Sequence, residues 1–318
     1  MTIGFGKNWI QKLFFGRLRY QFLAGSLWMK NLLVLFLLFI GGHHFAYGKN
    51  KSIGIIAALP QELEALKGEL ENVEEQDRGR EKFWVGRLGR TAVVATLSGV
   101  GKVNASVAAQ RLISEFGATA IIFTGVAGGI SKSLNIGDIV VAKEVYQHDF
   151  GFLGKEFVRH APGTLPEIGI GTGKEPVNLG LSWPTIGRKK RDFFDSTLEL
   201  FRSIQEKFSP VIVNDLVYKP KIQSGVVATG DQFIASEEKK QELAKQGADV
   251  VEMEGGAVAQ VADKNGIPFL VIRSVSDKAG TKAKFDFGKF VSSVAANNSL
   301  LVKELLTDDT FASYFQER

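Results

Sequence analysis

The sequence predicts a three-layer α/β sandwich, with a mixed, mostly parallel central sheet flanked by helices. Short β-branched runs without helical period recur along the chain, and segments with helical spacing separate them. The strand-like runs are apolar at successive positions, as strands covered on both faces must be.

In chain order, residues 53–59 (IGIIAAL) form the first such run. Pro60 then suits the first turn of a helix that places Leu63 and Leu66 on one face. Residues 83–88 and 91–97 are β-rich and meet at Gly89-Arg90, the pattern of a hairpin. A helix is predicted over 101–116, with Val103, Val107, Ala108 and Leu112 as its inward stripe and Gly117 as its stop. Residues 120–124, 139–145, 222–228 and 269–275 read as buried strands. Helices are expected at 236–246, capped by Ser236, at 255–265, stopped by Asn265-Gly266 and Pro268, and at 288–306. Residues 149–220 break the rhythm with Pro162-Gly163, Trp183-Pro184 and a basic run at 188–191. They read as an enlarged loop insertion containing a helix over 192–207, at an end of the sheet where loops that gate ligand sites lie.

Composition excludes several functions. The chain has 318 residues, with 39 Lys and Arg against 34 Asp and Glu, a net charge of +5. Residues 1–48 hold Lys7, Lys12, Arg17, Arg19 and Lys30 and no acid, so the body over 49–318 is neutral and has no electrostatic footprint for nucleic acid. Cysteine is absent, which excludes disulfides, thiolate nucleophiles and Cys-ligated zinc. Only His148 and His160 fall in the body, too few for a histidine-rich metal site.

Within the leader, Met29-Lys30-Asn31 precedes an apolar run over 32–40 and small residues at Ala46 and Gly48. Such a run spans roughly 16 Å as a helix against about 30 Å of hydrocarbon. Residues 29–48 therefore read as a secretory signal peptide, with export to the periplasm expected and a cytoplasmic location as the alternative. Membrane association is expected only if the basic, aromatic leader is retained.

Four segments follow predicted strands, where an open α/β sheet presents ligands: SGVGK at 98–102, TGVAGG at 124–129, TGDQF at 229–233 and Ser276-Asp277. A fifth, EMEGG, spans 252–256. None is a P-loop or a dinucleotide fingerprint. Gly125 and Gly128-Gly129 serve either a tight turn, close helix packing or close approach to a ligand. Glu252, Glu254 and Asp277 stand at the ends of apolar strands, and buried carboxylates need a partner or a task. An ion pair with Arg273 is one such task.

The ordered motifs IGIIAALPQELEAL, LSGVGKVNAS, TGVAGGI, NIGDIVVA, TGDQFI, VVEMEGGAVA and PFLVIRSVSDKAG resemble the 5′-methylthioadenosine/S-adenosylhomocysteine nucleosidases, within the nucleoside phosphorylase superfamily. The match covers roughly 52–146 and 221–306. The resemblance implies a phosphorylase/hydrolase-like fold, an adenine nucleoside and water as partners, a homodimer whose neighbour completes the pocket near the 5′ end, and neither metal nor organic cofactor. It further implies that Asp277 protonates the departing purine and that Glu62 activates water. Glu254 would hold the ribose hydroxyls, Met253 pack on the sugar, Phe233 stack on the base and Ile234 main-chain groups read the adenine edge. Glu252 and Arg273 would lie near the ribose and water, Ser276 would orient Asp277, and Ala127 and Gly128 would belong to the binding segment.

Two features depart from the family pattern. Val126 stands where TGSAGG members carry Ser, and the connection after Tyr146 is longer, although His148-Asp149 is similar to a family HD pair. A phosphorylase would need cations for phosphate in the loop after the first strand, and here that loop carries Glu62. Hydrolysis is therefore expected, with a phosphate-dependent phosphorylase, a futalosine-type hydrolase and a non-catalytic storage protein as alternatives.

Overall fold

The computed structural model describes residues 51–171 and 188–308, the side chains of 188–193 excepted. The expected signal peptide, the 188–191 side chains and Trp183-Pro184 lie outside the described residues.

The chain begins with β1 (Ser52–Ala57) and α1 (Pro60–Lys67), followed by β2 (Glu71–Arg78), β3 (Glu81–Leu88) and β4 (Thr91–Leu97). Next come α2 (Lys102–Phe116), β5 (Ala118–Gly129) and β6 (Ile139–Gln147). The insertion contributes β7 (Gly151–Leu153), β8 (Phe157–Arg159), α3 (Arg188–Ser203), β9 (Val211–Val213) and β10 (Leu216–Tyr218). The remainder is β11 (Ile222–Thr229), α4 (Glu237–Lys245), β12 (Val250–Glu252), α5 (Gly255–Lys264), β13 (Phe269–Asp277) and α6 (Ala283–Thr307).

Nine strands form one sheet in the order β12-β11-β6-β13-β5-β1-β4-β3-β2, with an additional β12–β5 pairing. β5 runs parallel to β1 and β13, β1 to β4, and β11 to β6 and β12. β13–β6, β12–β5, β2–β3 and β3–β4 are antiparallel, so the expected mixed, mostly parallel sheet is what forms. Alternate residues of β1 supply opposite layers. Ile53, Ile55 and Ala57 join the cluster containing Leu63 and Leu66 of α1, Phe201 of α3 and Leu301 and Leu305 of α6. Ile56 joins Leu112 of α2 and Val258 of α5. This is why β1 reads as an unbroken apolar run: period-two alternation vanishes when both faces are covered.

Several boundaries follow their sequence signals. Gly89 has φ +54, and β3 and β4 pair up to Leu88↔Thr91 across the Gly89-Arg90 turn. Ser236 caps α4 by accepting from the Lys239 N–H, and Gly266 at φ +66 follows α5.

Other boundaries are corrected. The inward face of α2 is Ala105, Ala108, Ala109 and Leu112, whereas Val103 and Val107 are 73% and 41% exposed. Close approach of helix to sheet selects the small alanines there and leaves the valine stripe outside. α6 begins at Ala283 rather than 288. The insertion helix begins at Arg188 and ends at Ser203, with a 3-10 turn over Gln205–Lys207. The TGVAGG segment is not a loop: β5 continues through Gly129.

Candidate active site

The long C-terminal half of β5 forms one wall of the site, because β13 and the end of β12 pair with it there. Asp277 stands opposite Gly128, and Val251 also pairs with Gly128. A register shift between Val275 and Asp277 inserts Ser276 as a bulge and re-aims the strand end. A Cβ on Gly128 would lie 2.9 Å from Asp277 Oδ1, and one on Gly125 would lie 2.7 Å from Glu62 Oε1. These two glycines lie three residues apart, about 10 Å along β5, and each lets one carboxylate approach the strand closely. Of the earlier readings of Gly125 and Gly128, tight turns give way to close side-chain approach, since neither has positive φ.

Glu62 is held entirely by backbone. Its Oε2 accepts from the N–H groups of Ala58 and Leu59 at 2.9 and 2.8 Å, and its Oε1 from the Val126 N–H at 2.9 Å. The first two bonds cap the start of α1, so the same carboxylate serves the helix terminus and reaches β5 at Val126, although it does not line the cleft described below. Burial pushes its pKa up, while Arg273 and the three N–H groups pull it back. Val126 thus takes part through its peptide. The hydroxyl that a serine would bring is absent, but the hold on Glu62 is not. We expect Gly125→Ala to cost about 1–3 kcal/mol through overpacking and to displace Glu62. Thermal unfolding combined with turnover measures both, and a variant with unchanged melting and activity would contradict the close-approach assignment.

Asp277 is 3% exposed. Its Oδ1 accepts from the Ala279 N–H at 2.8 Å and its Oδ2 from Ser276 Oγ at 2.9 Å. Ser276 Oγ also lies 3.4 Å from the Ala127 carbonyl, a second acceptor for its single hydrogen, which places Ala127 as backbone beside the acid. Burial raises the Asp277 pKa more than these bonds lower it, and Asp286 adds to the rise. The proton is therefore kept at higher pH than on a solvated aspartate.

Glu252 and Arg273 form a buried ion pair at 2.8 Å, with side chains 2% and 1% exposed. Glu252 also accepts from Thr229 Oγ1 and from the N–H groups of Glu254 and Gly255, and the Arg273 guanidinium lies 3.7 Å above the Phe123 ring. The bonds of Glu252 run to Thr229, Arg273 and the start of α5, so the pair positions its neighbours. Glu254 is one of these. It is the N-cap residue of α5, and its Oε1 accepts from the Gly101 N–H at 2.8 Å. Gly101 has φ +101, a conformation that suits glycine and lets the SGVGK turn aim that N–H inward. Burial and the nearby Glu252 raise the Glu254 pKa to about 8.

Gly128, Phe233, Ile234, Glu252, Met253 and Asp277 line a common cleft, together with Gln232 and Val251. Its volume is about 30 Å³. That is room for a water and not for a nucleoside. Phe233 is 48% exposed and packs edge-on against Phe287 at 5.7 Å. Among the described residues no group of three or more His, Asp or Glu side chains is arranged as metal ligands.

Sequence reasoning missed Phe287 because it lies one turn inside an otherwise ordinary amphipathic helix. It also missed the network that sets the 230–234 loop. Lys102 Nζ reaches Asp149 Oδ1 at 2.6 Å, Asp149 Oδ2 accepts from the Asp231 N–H at 2.8 Å, and Asp231 Oδ1 accepts from the Lys102 N–H at 2.8 Å. A lysine opening a helix, where the dipole disfavours a cation, was the available signal.

The profile of the phosphorylase superfamily matches residues 52–307. A 5′-methylthioadenosine/S-adenosylhomocysteine nucleosidase of Mycobacterium bovis is 39% identical over 261 residues, covering 80% of this chain and 96% of the relative. The crystal structure of the corresponding nucleosidase of Neisseria meningitidis, in complex with methylthio-immucillin-A, superposes with a TM-score of 0.65 at 31% identity, over 81% of this chain and 99% of that one. Futalosine hydrolase of Helicobacter pylori gives 0.61 at 27%, over 80% and 96%.

Proposed function

The chain belongs to the phosphorylase superfamily, and from that premise we infer that it hydrolyses the N-glycosidic bond of adenine nucleosides, 5′-methylthioadenosine and S-adenosylhomocysteine, releasing adenine. The observation that carries this reading is a pair of buried carboxylates, from α1 and the end of β13, that both approach the C-terminal half of β5, one with its pKa raised by burial and the other held by three N–H groups.

The chemistry follows from that pair. Adenine is a poor anionic leaving group, so a proton must reach the ring as the bond breaks. Asp277 donates it to N7, with Ser276 and the Ala279 N–H holding the acid in place. The ribosyl centre gains oxocarbenium character, and Glu62 orients and deprotonates the attacking water. Glu254 grips the ribose hydroxyls, aimed by Gly101 and by the Glu252–Arg273 pair behind it. Met253 packs on the sugar, Phe233 stacks on the purine, Ile234 offers its main chain to the adenine edge, and Gly128 leaves space beside the acid.

The loop after β1 offers a phosphate dianion no arginine and one carboxylate, which favours water as the nucleophile. Adenine release from methylthioadenosine and S-adenosylhomocysteine, with adenosine, inosine and futalosine as comparisons, is expected to be the same with and without phosphate. Strict phosphate dependence would assign a phosphorylase, and turnover confined to futalosine would assign that hydrolase.

A homodimer belongs to the same proposal. It is supported by the outward Val103 and Val107 of α2 and by Val100, 46% exposed, in the turn that holds Glu254. Sedimentation giving the mass of one chain would remove it. Export rests on the signal-like segment 29–48, and recovery of the protein from cytoplasm alone would remove that.

A further inference from the structure

A groove of about 820 Å³ lies outside the cleft and shares none of its lining residues. This volume is in the range of sites for small organic ligands. One side is the β9–β10 hairpin, and another is the segment from Lys278 through the first turns of α6. The hairpin is fixed in place. Buried Asp138 accepts from Tyr218 Oη at 2.6 Å, from the Lys221 N–H at 2.8 Å and, through its other oxygen, from the Asn135 N–H at 2.7 Å. The groove is therefore built before any ligand arrives.

Its lining has two characters. Ile136, Val213, Phe290, Leu216, Val217 and Phe285 supply an apolar wall, and the last three are 72%, 73% and 71% exposed, an unusual concentration of large exposed apolar side chains around one opening. Lys278, Lys282 and Lys289 also line it, against the single acid Asp286. Among the described residues no carboxylate lies within ion-pair distance of these three lysines. Lys278 Nζ donates to the Leu134 carbonyl, and Lys289 lies 5.0 Å over the Phe290 ring. In a body of zero net charge this is a local excess of cation beside apolar surface.

We propose that this groove binds a small amphipathic anion, an apolar chain or ring carrying one carboxylate or phosphate. The apolar part covers Leu216, Val217 and Phe285, and the anionic head meets Lys282 and Lys289 at the mouth. The site stands back to back with the cleft, since Lys278 follows Asp277 directly and Phe285 and Phe287 lie on the same turn of α6.

Titration calorimetry of the full-length chain with decanoate, decyl phosphate, decanol and acetate tests this. Decanoate and decyl phosphate are expected to bind saturably with one ligand per chain, and decanol and acetate each at least about tenfold more weakly, because each lacks one of the two contacts. If only one head group binds, the anion class narrows to that one. Lys282→Glu with Lys289→Glu should weaken decanoate by about tenfold or more, and Leu216→Ser with Val217→Ser should do likewise through lost apolar burial. Lys282→Gln with Lys289→Gln serves if the charge reversal disturbs folding, checked by circular dichroism. Absence of saturable decanoate binding, equal binding of decanol, or binding indifferent to both variant pairs would overturn the proposal. Self-association abolished by Leu216→Ser with Val217→Ser, without decanoate binding, would overturn it in favour of a protein contact.

Discussion

Replacing Asp277 by Asn is expected to lower turnover of methylthioadenosine by about 10²- to 10⁴-fold, the range for losing a positioned general acid, with KM changed by less than about tenfold. The amide oxygen introduced by the substitution can still accept from the Ala279 N–H and the amide occupies the same space, so binding survives while the transferable proton does not. The pH dependence has a definite sign. Burial raises the folded pKa of Asp277 above its usual value, so the protonated form, and with it activity, is lost as pH rises through that raised pKa. That descending limb should vanish in the variant.

Stability should fall with rising pH in the same sense as activity, and the substitution should remove that dependence too. A group with a raised folded pKa contributes stability that is full below its unfolded pKa and lost as pH rises through the folded one. Above that raised pKa the wild type carries a buried charge that the variant lacks, and there Asp277→Asn should melt at the same temperature or higher. A variant with near-normal turnover would refute the acid assignment, and one inactive only because it unfolds would fail the melting test.

Arg273→Met is expected to destabilise the fold by about 3–5 kcal/mol, because it strands Glu252 in an interior where the two side chains are 1% and 2% exposed. For a body of this size that is on the order of 10 °C in melting temperature. Activity should fall as well, since Glu252 accepts from the N–H groups that begin α5 and thereby sets Glu254. Adding Glu252→Gln should restore a measurable part of the stability but little of the activity. If the single variant melts within a degree or two of the wild type, the pair is not the anchor described.

Much of the fold was legible because burial writes itself into composition. The two-sided burial of β1 and β13 leaves uninterrupted apolar runs, and Gly89-Arg90, Ser236 and Asn265-Gly266 carry local turn and cap chemistry that tertiary context does not override. β2 was illegible for the converse reason. Its residues Glu71 to Arg78 are nearly all exposed at the sheet edge, where pairing with β3 and the Glu75 bonds to Lys82 and Trp84 Nε1, and not an apolar face, hold it. α2 misled in another way. Val103 and Val107 have core spacing, but the face that packs on the sheet is Ala105, Ala108, Ala109 and Leu112, and spacing alone does not reveal the distance between layers.

In the site, Glu252, Glu254 and Asp277 were legible as acids at apolar strand ends, whereas Glu62, inside a helix, was marked only by the family resemblance. Their supports were not. Gly101, Ala279 and Val126 act through peptide N–H groups, which every residue but proline carries, so no side-chain pattern marks them. Asp149 and Lys102 meet only because two loops far apart in the chain converge.

The peptide grip on Glu62 at position 126 bears on how such chains diverge. A donor that belongs to the main chain survives nearly any substitution, so lineages are free to exchange hydroxyl for isopropyl there without unseating the carboxylate, while position 125 has no such licence. A motif that insists on a hydroxyl at the third place of that segment would discard chains like this one, whereas one keyed to the glycine before it would retain them.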